Sequence, residues 1–223
     1  AVLLDLRRQV LVTGNVGDTM VVLAREQARV GVSACVEHSP ASERSRIEAA
    51  GGWVHLEDEM AISQLDAMDL DDAFVRSRAR KEVSWHRISR VNHDLGVSRA
   101  LGDLNYKGRR KHFAAPRKMG GGAAATFSAD LVLPTPDVAE IPLVAGDEFM
   151  ILACDGVWEV MSAGDAVLVA SMALDRPGGC PASAARYVTE MALKLGSSDN
   201  ITALVVMLPT AERFKHLVGN QPQ

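Results

Sequence analysis

Residues 148–162 read EFMILACDGVWEVMS, and the organisation of the chain turns on them. The run Phe149–Ala153 is apolar and of strand length, so it reads as a passage through a core. It delivers Asp155 at its end, Gly156 then permits a tight turn, and Glu159 follows on the next turn of backbone. A strand that ends in an acidic pair is a common way to hold a hard divalent cation at the rim of a sheet. The same residues also suit a capping Asp ahead of a helix. Neighbouring segments decide which of the two applies.

Two further acidic sites have similar settings. QVLVTGNVGDTMVVLA, residues 9–24, is two apolar runs joined by a glycine-punctuated bend that carries Asp18. LGSSDNITALVVML, residues 195–208, sets Asp199 and Asn200 directly before a β-branched, apolar strand. Asp18, Asp155, Glu159 and Asp199 are thus four carboxylates at strand ends or turns. The three Cys residues, Cys35, Cys154 and Cys180, are scattered, and no His/Cys pair has zinc-like spacing. Oxygen-only ligands suit Mg²⁺, Mn²⁺ or Ca²⁺ far better than Zn²⁺ or Cu²⁺. A paired-metal site of this kind lowers the pKa of water and clamps phosphoryl oxygens. The residues alone support a carboxylate metal site and leave its chemistry open.

Composition narrows the classes. A hydrophobic content of 48% over 223 residues supports a real core rather than a disordered chain. Aromatic content is only 4%, so Ala, Val and Leu do most of the packing. A net charge of −4 argues against a nucleic-acid binder that depends on bulk positive charge. No apolar run reaches the length of a membrane span, and three unpatterned Cys fit a reducing compartment, cytoplasmic or nuclear.

Short apolar runs predict strands at 1–6, 10–15, 19–24, 95–99, 131–133, 148–154 and 201–208. Helices are predicted over 42–52, from the Ser162–Asp165 capping box to about Leu174, and from Pro181 to Leu195. Strands and helices do not alternate strictly, which favours an antiparallel sheet core. Residues 57–87 run from acidic to basic and read as an inserted, solvated appendage, with Leu65, Met68 and Phe74 as the apolar face of a short helix. Residues 107–128 form a basic, then glycine- and alanine-rich loop. The six His residues read as surface or turn residues, and His38, before Ser39-Pro40, is among them.

Five segments occur in an order that is recognisable. They are NVGDTMVVL (15–23), EHSP…ERSRIEAAGGWV (37–54), LGVSRALGDLNYK (95–107), PDVAEIPL…GDEFMILACDGVWEVMS (136–162) and GSSDNITALVVM (196–207). In them the chain resembles the metal-dependent protein phosphatases, the type 2C Ser/Thr phosphatase family, over nearly all its length. The resemblance implies an α+β fold of four αββα layers, two packed antiparallel sheets flanked by helices, here incomplete on the N-terminal side. It implies hydrolysis of phosphoserine and phosphothreonine in phosphoprotein substrates by a metal-activated water. Two or more Mg²⁺ or Mn²⁺ ions would serve the complete enzyme.

Carried over residue by residue, the resemblance makes Asp155 and Asp199 ligands of a catalytic metal. Asp18 and Glu159 would help form an additional, weaker metal site, with Gly156 and Asn200 in support. The family has Asp at position 159, so the longer Glu159 is a departure that moves the oxygens. Residues 98–103, SRALGD, read as a turn and hydrogen-bond node rather than direct catalysts. The basic loop 107–128 would lie near the flap beside the active site. The family's pattern also has an acidic pair, a phosphate-gripping Arg and a DGHGG segment, and these 223 residues contain no DGHGG. Residues 1–212 are therefore expected to be the C-terminal portion of one catalytic domain, with 213–223 a tail. The missing N-terminal half of that domain is the expected partner, and the chain alone would lack part of the active site. A phosphatase-like binding or regulatory module without turnover is the alternative.

Overall fold

A computed structural model of the protein describes residues 1–25, 30–35, 38–60, 68–82, 85–108 and 127–209. Strict alternation builds the first sheet. In β2 (Val10–Asn15), Leu11, Thr13 and Asn15 are buried, and the residues between them are half-exposed. β2 pairs antiparallel with β1 (Val2–Asp5) on one side and β7 (Asp137–Pro142) on the other. Register places Leu11 opposite both Leu4 and Ile141.

The second sheet has the order β4-β3-β8-β9, from β4 (Val30–Ser33), β3 (Met20–Arg25), β8 (Phe149–Ala153) and β9 (Ala203–Met207), all antiparallel. β3 and β8 are apolar on both faces because both faces are covered. Leu23, Met150 and Val21 turn toward Leu11 and Ile141 and fill the space between the two sheets. Val22, Ile151 and Val205 turn the other way, onto helices α4 (Ala163–Leu174) and α5 (Pro181–Lys194). Val167 and Ala170 of α4 and Val188 and Ala192 of α5 meet them there. The protein is α+β, and three of the four expected layers lie among the described residues. The outer face of the β1-β2-β7 sheet leaves Leu3 and Val138 about two-thirds exposed, at 64% and 66%.

The helix ends follow their sequence signals. Ser162 accepts a hydrogen bond from the Asp165 N–H at 3.2 Å and opens α4, and Pro181 occupies the first turn of α5. α1 (Arg44–Ala49) is shorter than the predicted 42–52. It packs on a third cluster with β5 (Val54–Met60) and β6 (Trp85–Val91), built from Ile47, Val54, Val91 and Leu131.

Several expectations are corrected. The strands predicted at 95–99 and 131–133 are single bridges, Val91 to Leu95 and Arg99 to Leu133. Their backbone groups go to different partners: the Ser98 N–H donates to His38 and the Ala100 N–H to Leu133, so no ladder propagates. β4, β5, β6 and β7 form where no strand was predicted. The 57–87 stretch is not a solvated appendage. Its ends belong to the β5–β6 hairpin and its middle carries α2 (Ala73–Glu82). Met68, ahead of α2, and Val75, within it, are 8% and 0% exposed and join the same core as α4 and α5. The Asp69 N–H donates to the Lys194 carbonyl at 2.9 Å and Lys194 Nζ donates to Asp72 at 3.2 Å, which fixes this stretch to the end of α5. Leu65, residues 109–126 of the basic loop and the 213–223 tail lie outside the described residues. Among the described residues no helix is long and apolar enough to cross a membrane.

Candidate metal centre

Sheet register explains why three carboxylates distant in sequence share one sheet edge. Met20 pairs with Ala153 and Ala153 with Ala203, so the start of β3, the end of β8 and the start of β9 share one edge. Asp18 lies just before β3, Asp155 just after β8, and Asp199 in the loop before β9. All three therefore emerge at that edge. Their mutual field is visible in Asp18, which is half-buried. Burial first, then the negative charge of Asp155 and, more weakly, of Asp199, push its carboxyl above the usual range. Backbone N–H groups of Asp18 and Thr19 pull in the opposite direction without cancelling this.

The supporting residues hold the two loops against each other. The Gly156 N–H donates to Asp155 Oδ1 at 2.9 Å, and the Asn200 N–H to Asp199 Oδ1 at 2.6 Å. Ser197 Oγ donates to the Gly156 carbonyl at 2.7 Å, and Cys154 Sγ donates to the Asn200 carbonyl at 3.0 Å. A Cβ on residue 156 would sit 2.5 Å from the Asn200 carbonyl oxygen, so only glycine permits this approach. Glu159 is exposed at the end of α3 (Asp155–Trp158), and its N–H donates to the Asp155 carbonyl at 2.8 Å. The structure thus brings Asp18, Asp155 and Asp199 together and sets Glu159 one turn further along.

Among the described residues, no three His, Cys, Asp or Glu side chains are gathered closely enough to cage a metal ion. The donor set still fits a hard cation. The ligands on offer are carboxylate oxygens, and Mg²⁺ in particular keeps several waters and needs only one or two carboxylates from the protein. A divalent ion at this edge would also offset the negative charge of Asp155 and Asp199, which adds to burial in raising Asp18.

A second polar cluster flanks this edge, and sequence reasoning missed it. His38, expected at a turn or on the surface, is 2% exposed. Its Nε2 lies 2.9 Å from Asp137 Oδ2. Arg99 of the SRALGD segment donates to Asp137 at 3.1 Å and, through Nη2, to Glu43 at 2.9 Å. Arg46 donates to Glu43 at 3.1 Å and to the carbonyls of Ser98, Asp130 and Leu131. Burial alone would raise the Glu43 carboxyl, but hydrogen bonds from Arg99, Arg46 and Ser98 outweigh it and hold the group at about 2. Residues 98–103 therefore act as the node the sequence indicated.

Known proteins resemble this chain in sequence and fold. The protein phosphatase 2C family matches residues 1–65 and 76–201, which include Asp18, Asp155, Glu159 and Asp199. The chain belongs to this family. Probable protein phosphatase 2C 22 of Arabidopsis thaliana is 32% identical over 200 residues, covering 89% of this chain and 39% of that protein. Protein phosphatase 2C 50 of Oryza sativa subsp. japonica is 29% identical, covering 93% of this chain and 45% of that protein. Among solved structures, a C. elegans sex determining protein superposes with a TM-score of 0.63 at 21% identity, covering 93% of this chain and 39% of that one. A serine-threonine phosphatase 2C from Toxoplasma gondii gives a TM-score of 0.53 at 27% identity, over 89% of this chain and 54% of that one. The chain spans about two fifths of the length of the curated relatives it matches. The family match is interrupted at residues 66–75, within the stretch that carries Met68 and the start of α2.

Proposed function

We propose that this protein is a metal-dependent protein serine/threonine phosphatase of the 2C family, acting on phosphoserine and phosphothreonine in phosphoprotein substrates. The observation that carries the reading is the convergence of Asp18, Asp155 and Asp199 at one sheet edge, with Asp155 and Asp199 acting on the Asp18 carboxyl. In this reading Asp155 and Asp199 hold a Mg²⁺ or Mn²⁺ ion, and Asp18 with Glu159 serves an adjacent, weaker site. When bound, such ions offset the charge that develops on a transferring phosphoryl group and make water a better nucleophile. Gly156 and Asn200 keep the Asp155 and Asp199 loops in contact. The remaining donors and the phosphate-gripping cation belong to the half of the family pattern absent from these 223 residues, so the chain alone carries part of the centre.

A phosphatase-like binding module without turnover is the second reading. It is favoured by Glu159 at a family Asp position and by the lack of a three-ligand cage among the described residues. Phosphate release from a phosphothreonine peptide by the 223-residue chain, with Mn²⁺, separates the two. Release that is absent or very slow is expected of the chain alone, and any that occurs should disappear in Asp155→Asn. Absence of both Mn²⁺-dependent release and Mn²⁺ binding would overturn the enzymatic reading. Turnover at the rate of a complete family member would overturn the claim that the centre is partial.

A further inference from the structure

His38 grips residue 17 twice. Its backbone N–H donates to the Gly17 carbonyl at 3.0 Å, and its ring Nδ1 accepts from the Gly17 N–H at 3.3 Å. Because Nδ1 accepts, the ring proton resides on Nε2, which donates to Asp137 at 2.9 Å. Gly17 has φ +109, a conformation that L side chains rarely adopt, and Asn15 Nδ2 also donates to its carbonyl, at 3.1 Å. Residue 17 is therefore held in one unusual conformation by groups outside its own turn, and Asp18 is the next residue. Behind His38, Asp137 takes a second hydrogen bond from Arg99 Nη1 at 3.1 Å, and the other nitrogens of Arg99 hold Glu43. A continuous series of contacts thus runs from Glu43 through Arg99, Asp137 and His38 to the Gly17–Asp18 turn.

We propose that His38 is a positioning residue, which holds the Gly17–Asp18 turn so that the Asp18 carboxylate faces Asp155 and Asp199. The inference rests on the reading of Asp18 as a metal carboxylate. It assigns a role to the ion-pair frame around Arg99, which stops the imidazole from turning away from Gly17. An outer partner of this kind orients a ligand without touching the cation.

Two substitutions divide the imidazole. Gln in place of His38 keeps a donor near Nε2 for Asp137 and offers Gly17 no acceptor. Asn keeps an acceptor near Nδ1 and does not reach Asp137. Hydrogen exchange by NMR on the full chain reads the grip directly. The Gly17 amide should exchange about tenfold faster in His38→Gln and close to the wild-type rate in His38→Asn, with the core amides of Val167 and Ala192 unchanged. Mn²⁺ affinity at the Asp18-dependent site should fall about tenfold in His38→Gln, the usual size of a lost outer-shell contact. An unchanged Gly17 rate in His38→Gln would overturn the proposal, as would a faster rate with unchanged Mn²⁺ affinity. Equal Mn²⁺ affinity in the wild type and Asp18→Asn would instead overturn the metal reading of Asp18, while the Gly17 rate still decides whether His38 holds the turn.

Discussion

Glu43 accepts from both Arg46 and Arg99 and has a side chain 13% exposed, so its charge is held in place more firmly than that of a surface ion pair. Its carboxyl is held at about 2, against an ordinary 4.5. A depressed carboxylate stabilises the fold above the unfolded value and loses that contribution as pH falls from 4.5 toward 2. Glu43→Gln should therefore cost roughly 2 to 3 kcal/mol at pH 7, read by urea unfolding, and flatten the acid limb of the stability profile. Asp18 has the opposite sign. Its folded carboxyl is raised, so the metal-free protein loses stability as pH rises through the carboxylate range. Asp18→Asn should raise the melting temperature of the metal-free protein at pH 7, measured in EDTA by scanning calorimetry. A lower melting temperature would show that Asp18 is stabilised by its surroundings rather than crowded by Asp155 and Asp199.

Among the elements, those with one strong local signal were legible. β3 and β8 are unbroken apolar runs, and α4 and α5 carry a Ser cap and a first-turn Pro. Ser162→Ala should remove the α4 cap and cost about 1 kcal/mol in denaturant unfolding. β7 escaped because DVAEIP has two acids and a Pro, and its strand character comes from pairing with β2 more than a hundred residues earlier. β5 and β6 escaped for a related reason, since charged residues break up their apolar pattern and their strand character comes from pairing with each other. His38 escaped because its burial is made by residues around 17, 98 and 137, which no local pattern joins. The placement of the three aspartates beside β3, β8 and β9 was legible because those strands are recognisable apolar runs. Residues 57–87 were misread because charge content hid Val75. Val75→Ala should cost about 2 kcal/mol, where a solvated appendage would cost less than about 0.5.

At the scale of the whole molecule, helices α4 and α5, the four-stranded sheet and the three-stranded sheet stack as successive layers. The carboxylate edge belongs to the middle layer, where β3, β8 and β9 are held from both faces. An ion that bound at this edge would stabilise the fold by mass action. The most direct test is a calorimetric titration of the 223-residue chain with Mn²⁺, wild type against Asp155→Asn. Saturable binding in the wild type that is lost in Asp155→Asn is the predicted result. Identical heats for the two proteins would contradict the assignment of this sheet edge as a metal centre.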